Sequence, residues 1–220
     1  EVQSRIGKRA VIIENAGTFR RTTKNKAYSL SKSIQREDFF RVVYVGSISR
    51  SRGLMEMVRT MGILNRKIAA RFWLIGPANT NDLREAKQDY AWNYVDYLGR
   101  ISQEKAFAYM IKSDAGLATI LDVADHKNTS TNKIYEYQQF SLPFVASNFQ
   151  KWIDQLEPVG SGIFVNPSNP DAIAHALYWI ATNREDAIKM GRKGQNFILE
   201  EYNWEAESKK LLNLYSDLGK

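Results

Sequence analysis

The chain has 220 residues, of which 44% are hydrophobic and 25% charged, which excludes a disordered chain, a collagen and a coiled coil. It has no cysteine and two histidines, which excludes disulfides, a cysteine nucleophile and a histidine-rich metal site, and no apolar run approaches the roughly 18 residues of a membrane-spanning helix. The net charge of +7 raises the question of a polyanionic partner.

The first 38 residues differ in charge from the rest. Ala10–Glu14 predicts one strand, and a polar, basic stretch follows to about Asp38. Residues 1–36 hold nine basic residues and two acids, so they account for the whole net charge. Such an arm suits an acidic neighbouring domain or anionic lipid, or is a solvated linker. Nucleic acid is not an expected partner, because the neutral body has no basic face with interleaved aromatic residues. Since the chain opens at Glu1 without a signal-type apolar segment, we expect it to be a piece of a longer protein.

From residue 39 onward, short apolar runs alternate with amphipathic segments. The runs are rich in Val and Ile and several end at a glycine, which predicts the buried strands of a parallel sheet. The segments between them have apolar residues spaced near 3.6, which predicts helices. The predicted strands are Arg41–Val45, Ala70–Ile75, Tyr94–Leu98, Ala115–Thr119, Phe144–Ser147 and Gly162–Val165. The predicted helices are Leu54–Leu64, Asn81–Ala91, Gln103–Lys112 with Ser102 as N-cap, Lys133–Phe140, Asp171–Ala181, Arg184–Leu199 and Trp204–Leu218.

This alternation predicts an α/β fold, a Rossmann-like doubly wound parallel sheet with helices on both faces. Ligands of such sheets lie at the carboxyl ends of the strands. The turn after the first body strand reads Gly46-Ser47-Ile48-Ser49-Arg50-Ser51-Arg52-Gly53. A glycine turn, two arginines and the start of a helix suit a phosphate, although a charged surface loop has the same composition. The turn is neither a Walker loop nor a GxGxxG fingerprint.

A second candidate anion site lies at the start of the helix predicted from Lys133. Thr129 to Asn132 are residues that cap helices, so the N–H groups of the helix start are exposed there. Glu136 lies about one turn further along, where its carboxylate is suited to accept hydrogen bonds from a ribose diol. The alternative is a solvated helix glutamate paired with Lys133.

Four stretches together resemble the C-terminal, nucleotide-sugar-binding half of the group 1 glycosyltransferases, which have the GT-B fold. Each stretch alone is weak, but the four occur in family order over about residues 40–218. The resemblance implies that residues 39–220 form a Rossmann-like donor-binding domain. It also implies that residues 1–38 are a basic linker and the remnant strand of a missing N-terminal, acceptor-binding domain. The stretches are 42–58 (VVYVGSISRSRGLMEMV), 94–120 (YVDYLGRISQEKAFAYMIKSDAGLATI), 131–147 (TNKIYEYQQFSLPFVAS), and 162–177 (GIFVNPSNPDAIAHAL) with 202–218 (YNWEAESKKLLNLYSDL).

The resemblance implies a set of site residues. At the position of Ser47 many family members have an arginine, and at the position of Arg52 they have a lysine; both contact the diphosphate. Arg52 keeps the charge, and Arg50 is the expected substitute for the charge missing at Ser47. The segment from Gly99 matches the one that lines the base. The implied donor-binding residues are Gly46, Ser47, Arg50, Arg52, Gly99, Arg100, Ile101, Thr129, Ser130, Thr131, Asn132, Lys133 and Glu136, with Arg52, Glu136 and Asn128 at the catalytic positions.

One departure concerns the family's two acids, which stand eight residues apart. Glu136 matches the second acid, which holds the ribose, whereas Asn128 stands where the first is expected. Asparagine cannot act as a carboxylate, so Asp122 or Asp125 in the same loop is the alternative acid. This departure favours a second hypothesis, a non-catalytic sugar-nucleotide-binding or partner-binding module on the same fold.

The function that the resemblance implies is glycosyl transfer from a nucleoside-diphosphate sugar to an acceptor hydroxyl, with retention of configuration. Arg50, Arg52, Lys133 and the helix-start amides would stabilise the leaving diphosphate. No metal or other cofactor is expected, and the isolated chain is expected to be inactive. The implied setting is bacterial polysaccharide or glycolipid biosynthesis in the cytoplasm, with peripheral contact at the inner face of the membrane left open. A dehydrogenase is disfavoured, because the glycine-rich fingerprint that it needs after the first strand is absent. A receiver domain is disfavoured, because Gly46 and Gly99 stand where it needs acids at the strand ends.

Overall fold

The computed structural model describes residues 21–35, 37–129 and 132–218. Its centre is a six-stranded sheet in which every pair of neighbouring strands is parallel. The spatial order is β3-β2-β1-β4-β5-β6, so the chain winds outward from β1 to β3, returns to lie beside β1, and continues to β6. The strands are β1 (Phe40–Val45), β2 (Ala70–Ile75), β3 (Val95–Gly99), β4 (Ala115–Ala118), β5 (Phe144–Ser147) and β6 (Gly162–Val165).

Helices cover both faces of this sheet. Side chains alternate between the faces of a strand, so Val42 packs with Leu54 and Leu177 on one face, whereas Val43 packs with Phe107 and Ile134 on the other. The predicted doubly wound α/β fold is confirmed. The helices are α1 (Arg21–Ser31), α2 (Leu54–Leu64), α3 (Thr80–Ala86), α4 (Gln103–Ile111), α5 (Asn132–Gln139), α6 (Gln150–Leu156), α7 (Pro170–Thr182), α8 (Arg184–Glu200) and α9 (Trp204–Leu218).

The order of the strands positions the functional site. Winding reverses between β1 and β4, and a doubly wound sheet opens a crevice at the carboxyl ends of the strands where its winding reverses. β1 and β2 end at the same level of the sheet, because their last residues, Val45 and Ile75, lie opposite each other. The loops after β1 and β4 therefore meet at the same edge of the sheet.

Two helices were not predicted from the sequence. The polar stretch expected up to Asp38 contains α1, which has little apolar surface and docks through the fully buried Ala27 and a 3.5 Å ion pair from Lys26 Nζ to Glu104 Oε1 of α4. Helix α6 has seven residues, too few for a clear 3.6-residue period. It is anchored by the buried Trp152, whose Nε1 donates to the Thr129 carbonyl at 2.7 Å.

One predicted helix is too long. The helix expected over Asn81–Ala91 ends at Ala86, and a 3₁₀ helix follows over Tyr90–Tyr94. Asp89 accounts for the break, because its carboxylate accepts a hydrogen bond from the Ala91 N–H and so starts a new turn. The other predicted strands and helices of the body are confirmed to within two residues at each end.

Two further expectations concern the first 38 residues and the possibility of a membrane-spanning helix. The strand predicted at Ala10–Glu14 lies outside the described residues, and the domain division at residue 38 stays a prediction. No helix in the described part is both long and apolar enough to cross a membrane.

Candidate functional site

Glycine turns end the first three strands and form a shelf at the carboxyl edge of the sheet. Gly46 and Gly76 have φ values of +147° and +139°, which side chains rarely adopt. The Gly46 N–H donates to the Ile75 carbonyl at 2.9 Å, and the Gly76 N–H donates to the Gly99 carbonyl at 2.8 Å. A Cβ on Gly76 would stand 1.9 Å from the Gly46 carbonyl oxygen. The turns can approach this closely only because these positions lack side chains.

A pocket of about 320 Å³ opens on this shelf. It lies between the end of β1, the turn that leads into α2 and the first turn of α5. Six of its eight lining residues belong to the set that the family resemblance implied. The lining residues are Tyr44, Val45, Gly46, Ser47, Arg52, Asn132, Lys133 and Glu136.

Lys133 lies over the glycine turn of β1. Its Nζ is 3.4 Å from the position of a Cβ on Gly46 and 5.0 Å from the centroid of the Tyr44 ring, a cation–π contact. Burial and, to a smaller extent, the Arg52 charge lower the pKa of Lys133 to about 8, while Glu136 acts in the opposite direction. At neutral pH this ammonium is therefore mostly charged and poorly solvated.

Glu136 follows Lys133 by three residues on α5 and lines the same pocket. Burial raises the pKa of Glu136 to about 7, and the Lys133 charge offsets part of that shift. The carboxyl thus titrates near neutral pH, where it can donate as well as accept hydrogen bonds.

Arg52 is placed by a tight 3₁₀ turn over Arg50–Arg52. Gly53 ends this turn with a φ of +78°, and a Cβ there would stand 2.1 Å from the Thr119 carbonyl oxygen after β4. The turn is thus held against the loop after β4. Neither Arg52 nor Lys133 forms a salt bridge with a carboxylate of residues 21–35, 37–129 or 132–218.

Arg50 is not brought to the pocket, although it stands two residues from Arg52. Its guanidinium pairs with Glu85 of α3, and its N–H donates to Asp82 Oδ2 at 2.8 Å. The expectation that Arg50 replaces the charge missing at Ser47 has no support in this arrangement. Instead, the Ser47 carbonyl accepts a 2.8 Å hydrogen bond from the Tyr44 hydroxyl.

The loop after β4 holds the other predicted residues. Asn128 is exposed, outside the pocket, and its Nδ2 donates to Asp125 Oδ1 at 2.6 Å. Asp122 lies 3.8 Å from Lys127 Nζ, so neither alternative acid lines the pocket. The Thr129 hydroxyl donates to the His126 carbonyl at 2.8 Å. Ser130 and Thr131 lie outside the described residues.

The turn after β3 lies beside the pocket rather than in it. The Gly99 carbonyl accepts from Gly76, as described above, Arg100 is exposed, and Ile101 packs against the buried cluster of the α4 face. These three positions stay candidates for contact with a base.

Sequence reasoning missed Tyr44 and Gly76. Tyr44 is fully buried and burial raises its pKa, so at the sequence level it is indistinguishable from a core residue of β1. The one available signal was an aromatic hydroxyl two positions before a strand-ending glycine. Gly76 was identified only as a turn, because its contact with Gly46 joins residues thirty positions apart.

The fold and this pocket define a Rossmann-like domain with a cationic pocket at the carboxyl edge of its sheet. More particularly, the chain belongs to the group 1 glycosyl transferases, since the model of that family matches residues 40–183. The resemblance seen in the sequence is thereby confirmed. No curated protein matches the chain.

Solved structures agree with this assignment at the level of the fold. Sucrose-phosphate synthase from Thermosynechococcus elongatus is 19% identical, with a TM-score of 0.77 over 98% of this chain and 55% of that protein. HepE from Anabaena, in complex with UDP, is 15% identical, with a TM-score of 0.75 over 97% and 60%. The C-terminal domain of the group 1 glycosyl transferase LpcC from Francisella tularensis is 15% identical, with a TM-score of 0.65 over 84% and 94%. The chain thus spans little more than half of the first two proteins and matches the fold of the LpcC C-terminal domain over 94% of that domain.

Proposed function

We propose that this chain is the donor-binding half of a glycosyltransferase and that the pocket after β1 holds the diphosphate and ribose of a nucleoside-diphosphate sugar. The observation that carries the proposal is that Arg52 and Lys133 line one pocket, while neither has a salt-bridge partner among the described carboxylates. Partly buried cations without a partner are costly unless a ligand supplies the opposite charge. A diphosphate carries that charge.

Transfer of the sugar leaves negative charge on the diphosphate. Arg52 can bind phosphate oxygens through two parallel hydrogen bonds, and Lys133 adds a point charge in a poorly solvated setting where its attraction is strong. Glu136, which lines the same pocket, holds the ribose hydroxyls. The proposal includes no metal, because these two side chains supply the positive charge that the leaving group requires.

The remaining steps are assigned to a second domain. The chain spans 55–60% of two solved neighbours, and we infer that the rest of the full-length protein binds the acceptor, so the isolated chain does not transfer sugar. Retention of configuration, a polysaccharide or glycolipid product, and a bacterial cytoplasmic enzyme with contact at the inner membrane face belong to the same proposal. An assay of the full-length protein, with NMR of the anomeric proton of its product, tests the retention of configuration and the nature of the product.

Binding is tested first by calorimetric titration of this chain with UDP, the ligand in the HepE structure, and then with GDP, ADP, dTDP and CMP. Arg52→Ala should weaken the diphosphate that binds by about 10- to 100-fold, as expected for a charge-assisted hydrogen bond. Arg50→Ala is the matched control, because it removes the same charge two residues away from a side chain already paired with Glu85. It should change affinity by no more than about twofold. Equal losses in both variants would contradict the proposed site.

Asn128 favours one alternative, a binding module without catalysis. It stands at the position of the family's first acid, and its side-chain amide donates a hydrogen bond to Asp125. Under this alternative the chain binds a nucleotide sugar, but the full-length protein does not turn it over in the presence of acceptor. The transfer assay separates the two functions.

A further inference from the structure

A second cavity lies at the opposite edge of the sheet, where the strands begin. Its volume is about 330 Å³, at the lower end of pockets that take small organic ligands. Phe40 at the start of β1, Asp114 before β4 and Pro143 before β5 line it, together with the last turns of α4 and α7 and the first turns of α8. It shares no residue with the pocket after β1, so an inference from it does not depend on the proposed function.

Part of the wall of this cavity is apolar. Phe40, Ile111 of α4 and Ala181 of α7 line it and are partly exposed, whereas the lining side chains of Met110, Leu142 and Ile180 are buried. Apolar side chains offer water no hydrogen-bond partners, so this part of the wall favours an apolar group.

The mouth of the cavity is cationic. Arg184, Ile188 and Arg192 follow one another at intervals of four residues on α8, which places them on one face of that helix, and all three line the cavity. Ile188 is 53% exposed between the two arginines. Arg192 forms no salt bridge with a carboxylate in the described part of the chain, and Arg184 has one contact of 3.8 Å, to Asp114 Oδ1.

Asp114 is the one acid among the lining residues. Its side chain is 12% exposed, and its Oδ2 accepts a 2.8 Å hydrogen bond from the Arg41 N–H. The carboxylate is thus held at the sheet edge, and two guanidinium groups outnumber it at the mouth. The charge balance of the opening favours an anion.

We propose that this cavity binds a small amphipathic anion, a carboxylate with an aliphatic tail. Arg184 and Arg192 hold the carboxylate at the mouth, and the tail lies along Phe40, Ile111 and Ala181. Ile188 contacts the first carbons of the tail between the two charges. Both the charge and the chain length of the ligand are specified, so each can be tested by itself.

The test is a titration of this chain with octanoate, followed by amide NMR shifts and calorimetry. We expect saturable one-to-one binding, with shifts concentrated at the residues around the cavity. Octanol, which lacks the charge, and acetate, which lacks the tail, should each bind about tenfold more weakly or worse.

Variants distinguish binding by the arginines at the mouth from a general effect of the positive charge on α8. The double change Arg184→Ala with Arg192→Ala should weaken octanoate about tenfold, and both side chains are exposed, so the fold is retained. Lys189→Ala with Lys193→Ala removes the same charge from exposed positions of α8 that do not line the cavity, and should leave binding unchanged. Ala181→Leu, which narrows the cavity at its rim, should weaken octanoate but not acetate.

Four results would overturn the proposal. One is equal affinity for octanol and octanoate, which would leave an apolar void without a head-group site. Another is an equal loss in the arginine and lysine variants, and the third is a shift pattern centred away from α8 and Leu142. Absence of saturable octanoate binding at millimolar concentration would also refute it.

Discussion

Raising the pH should release a bound nucleoside diphosphate because Lys133 loses its proton. Burial and the neighbouring Arg52 lower the pKa of Lys133 to about 8. With that pKa, the side chain is charged in about three quarters of molecules at pH 7.5 and in about a tenth at pH 9.0. If only the charged form attracts the diphosphate, affinity should fall about eightfold over this interval. The sign follows from linkage, since an anion binds the protonated form and binding must therefore take up protons above pH 8.

The assay is calorimetric titration with UDP at pH 7.5, 8.25 and 9.0, at fixed ionic strength because exposed charges are screened by salt. Repeating the pH 8.25 titration in two buffers of different ionisation enthalpy measures the proton uptake directly. Lys133→Arg is the matched control, because arginine stays charged throughout, and its affinity should be nearly constant. Glu136→Gln should move the fall to lower pH, since the charge of Glu136 raises the pKa of Lys133.

Two outcomes would refute this reasoning. A constant affinity of the unmodified chain between pH 7.5 and 9.0 would mean that Lys133 does not contact the ligand or is not buried in solution. A fall of the same size in Lys133→Arg would assign the titration to another group or to the nucleotide.

Three further changes test the geometry of the site. Burial raises the pKa of Glu136 from 4.5 to about 7 in the folded state, so its contribution to stability is fully present below pH 4.5 and is lost as the pH rises through 7. Glu136→Gln should therefore raise the free energy of unfolding at pH 8 by about 1–3 kcal/mol in denaturant titrations, with no gain near pH 4. Gly76→Ala should destabilise the fold by more than about 2 kcal/mol and abolish UDP binding, because its Cβ would stand 1.9 Å from the Gly46 oxygen. Gly99→Ala is the control, because the nearest neighbour of its Cβ would be 3.9 Å away. It should lower the stability of the fold by only about 1 kcal/mol. Tyr44→Phe removes the hydrogen bond to the Ser47 carbonyl but keeps the ring that Lys133 contacts. It should lower the free energy of unfolding by about 1 kcal/mol and weaken the binding of UDP. Unchanged UDP binding would mean that the Tyr44 hydroxyl takes no part in the site.

The sheet could be predicted from the sequence because its signals are local. Each strand is a short apolar run that ends at a turn, and the glycines at 46, 76 and 99 marked three of those ends. Helices α1 and α6 could not be predicted in the same way. Their stability comes from contacts with distant elements, the packing of the buried Ala27 for α1 and the Trp152 bond to Thr129 for α6, and neither contact leaves a pattern in its own segment.

The lining of the candidate pocket was predicted in part, for a related reason. Lys133, Glu136 and Arg52 follow from motifs in which sequence spacing and spatial position coincide. Arg50 and Arg52 are chemically alike and share one loop, so only the acids of α3 distinguish them, and those acids lie more than thirty residues further along the chain. The sequence alone therefore gives the charge of the loop but not which arginine is free to bind a ligand.

The buried Arg41 and the partly buried Lys133 have different surroundings, and the difference supports a ligand-binding role for the pocket. Arg41 has a side chain only 5% exposed, and it is balanced by Glu37 at 3.0 Å and Asp96 at 2.9 Å and by the Trp73 ring at 4.7 Å. The chain is thus able to surround a buried cation with partners where the role is structural. Lys133 lies at the other end of the same strand, beside another cation, and its nearby acid has a pKa raised to about 7 rather than lowered by a salt bridge. Such an arrangement disfavours the empty domain and is relieved when a polyanion enters, which is the behaviour expected of a binding site rather than of a core.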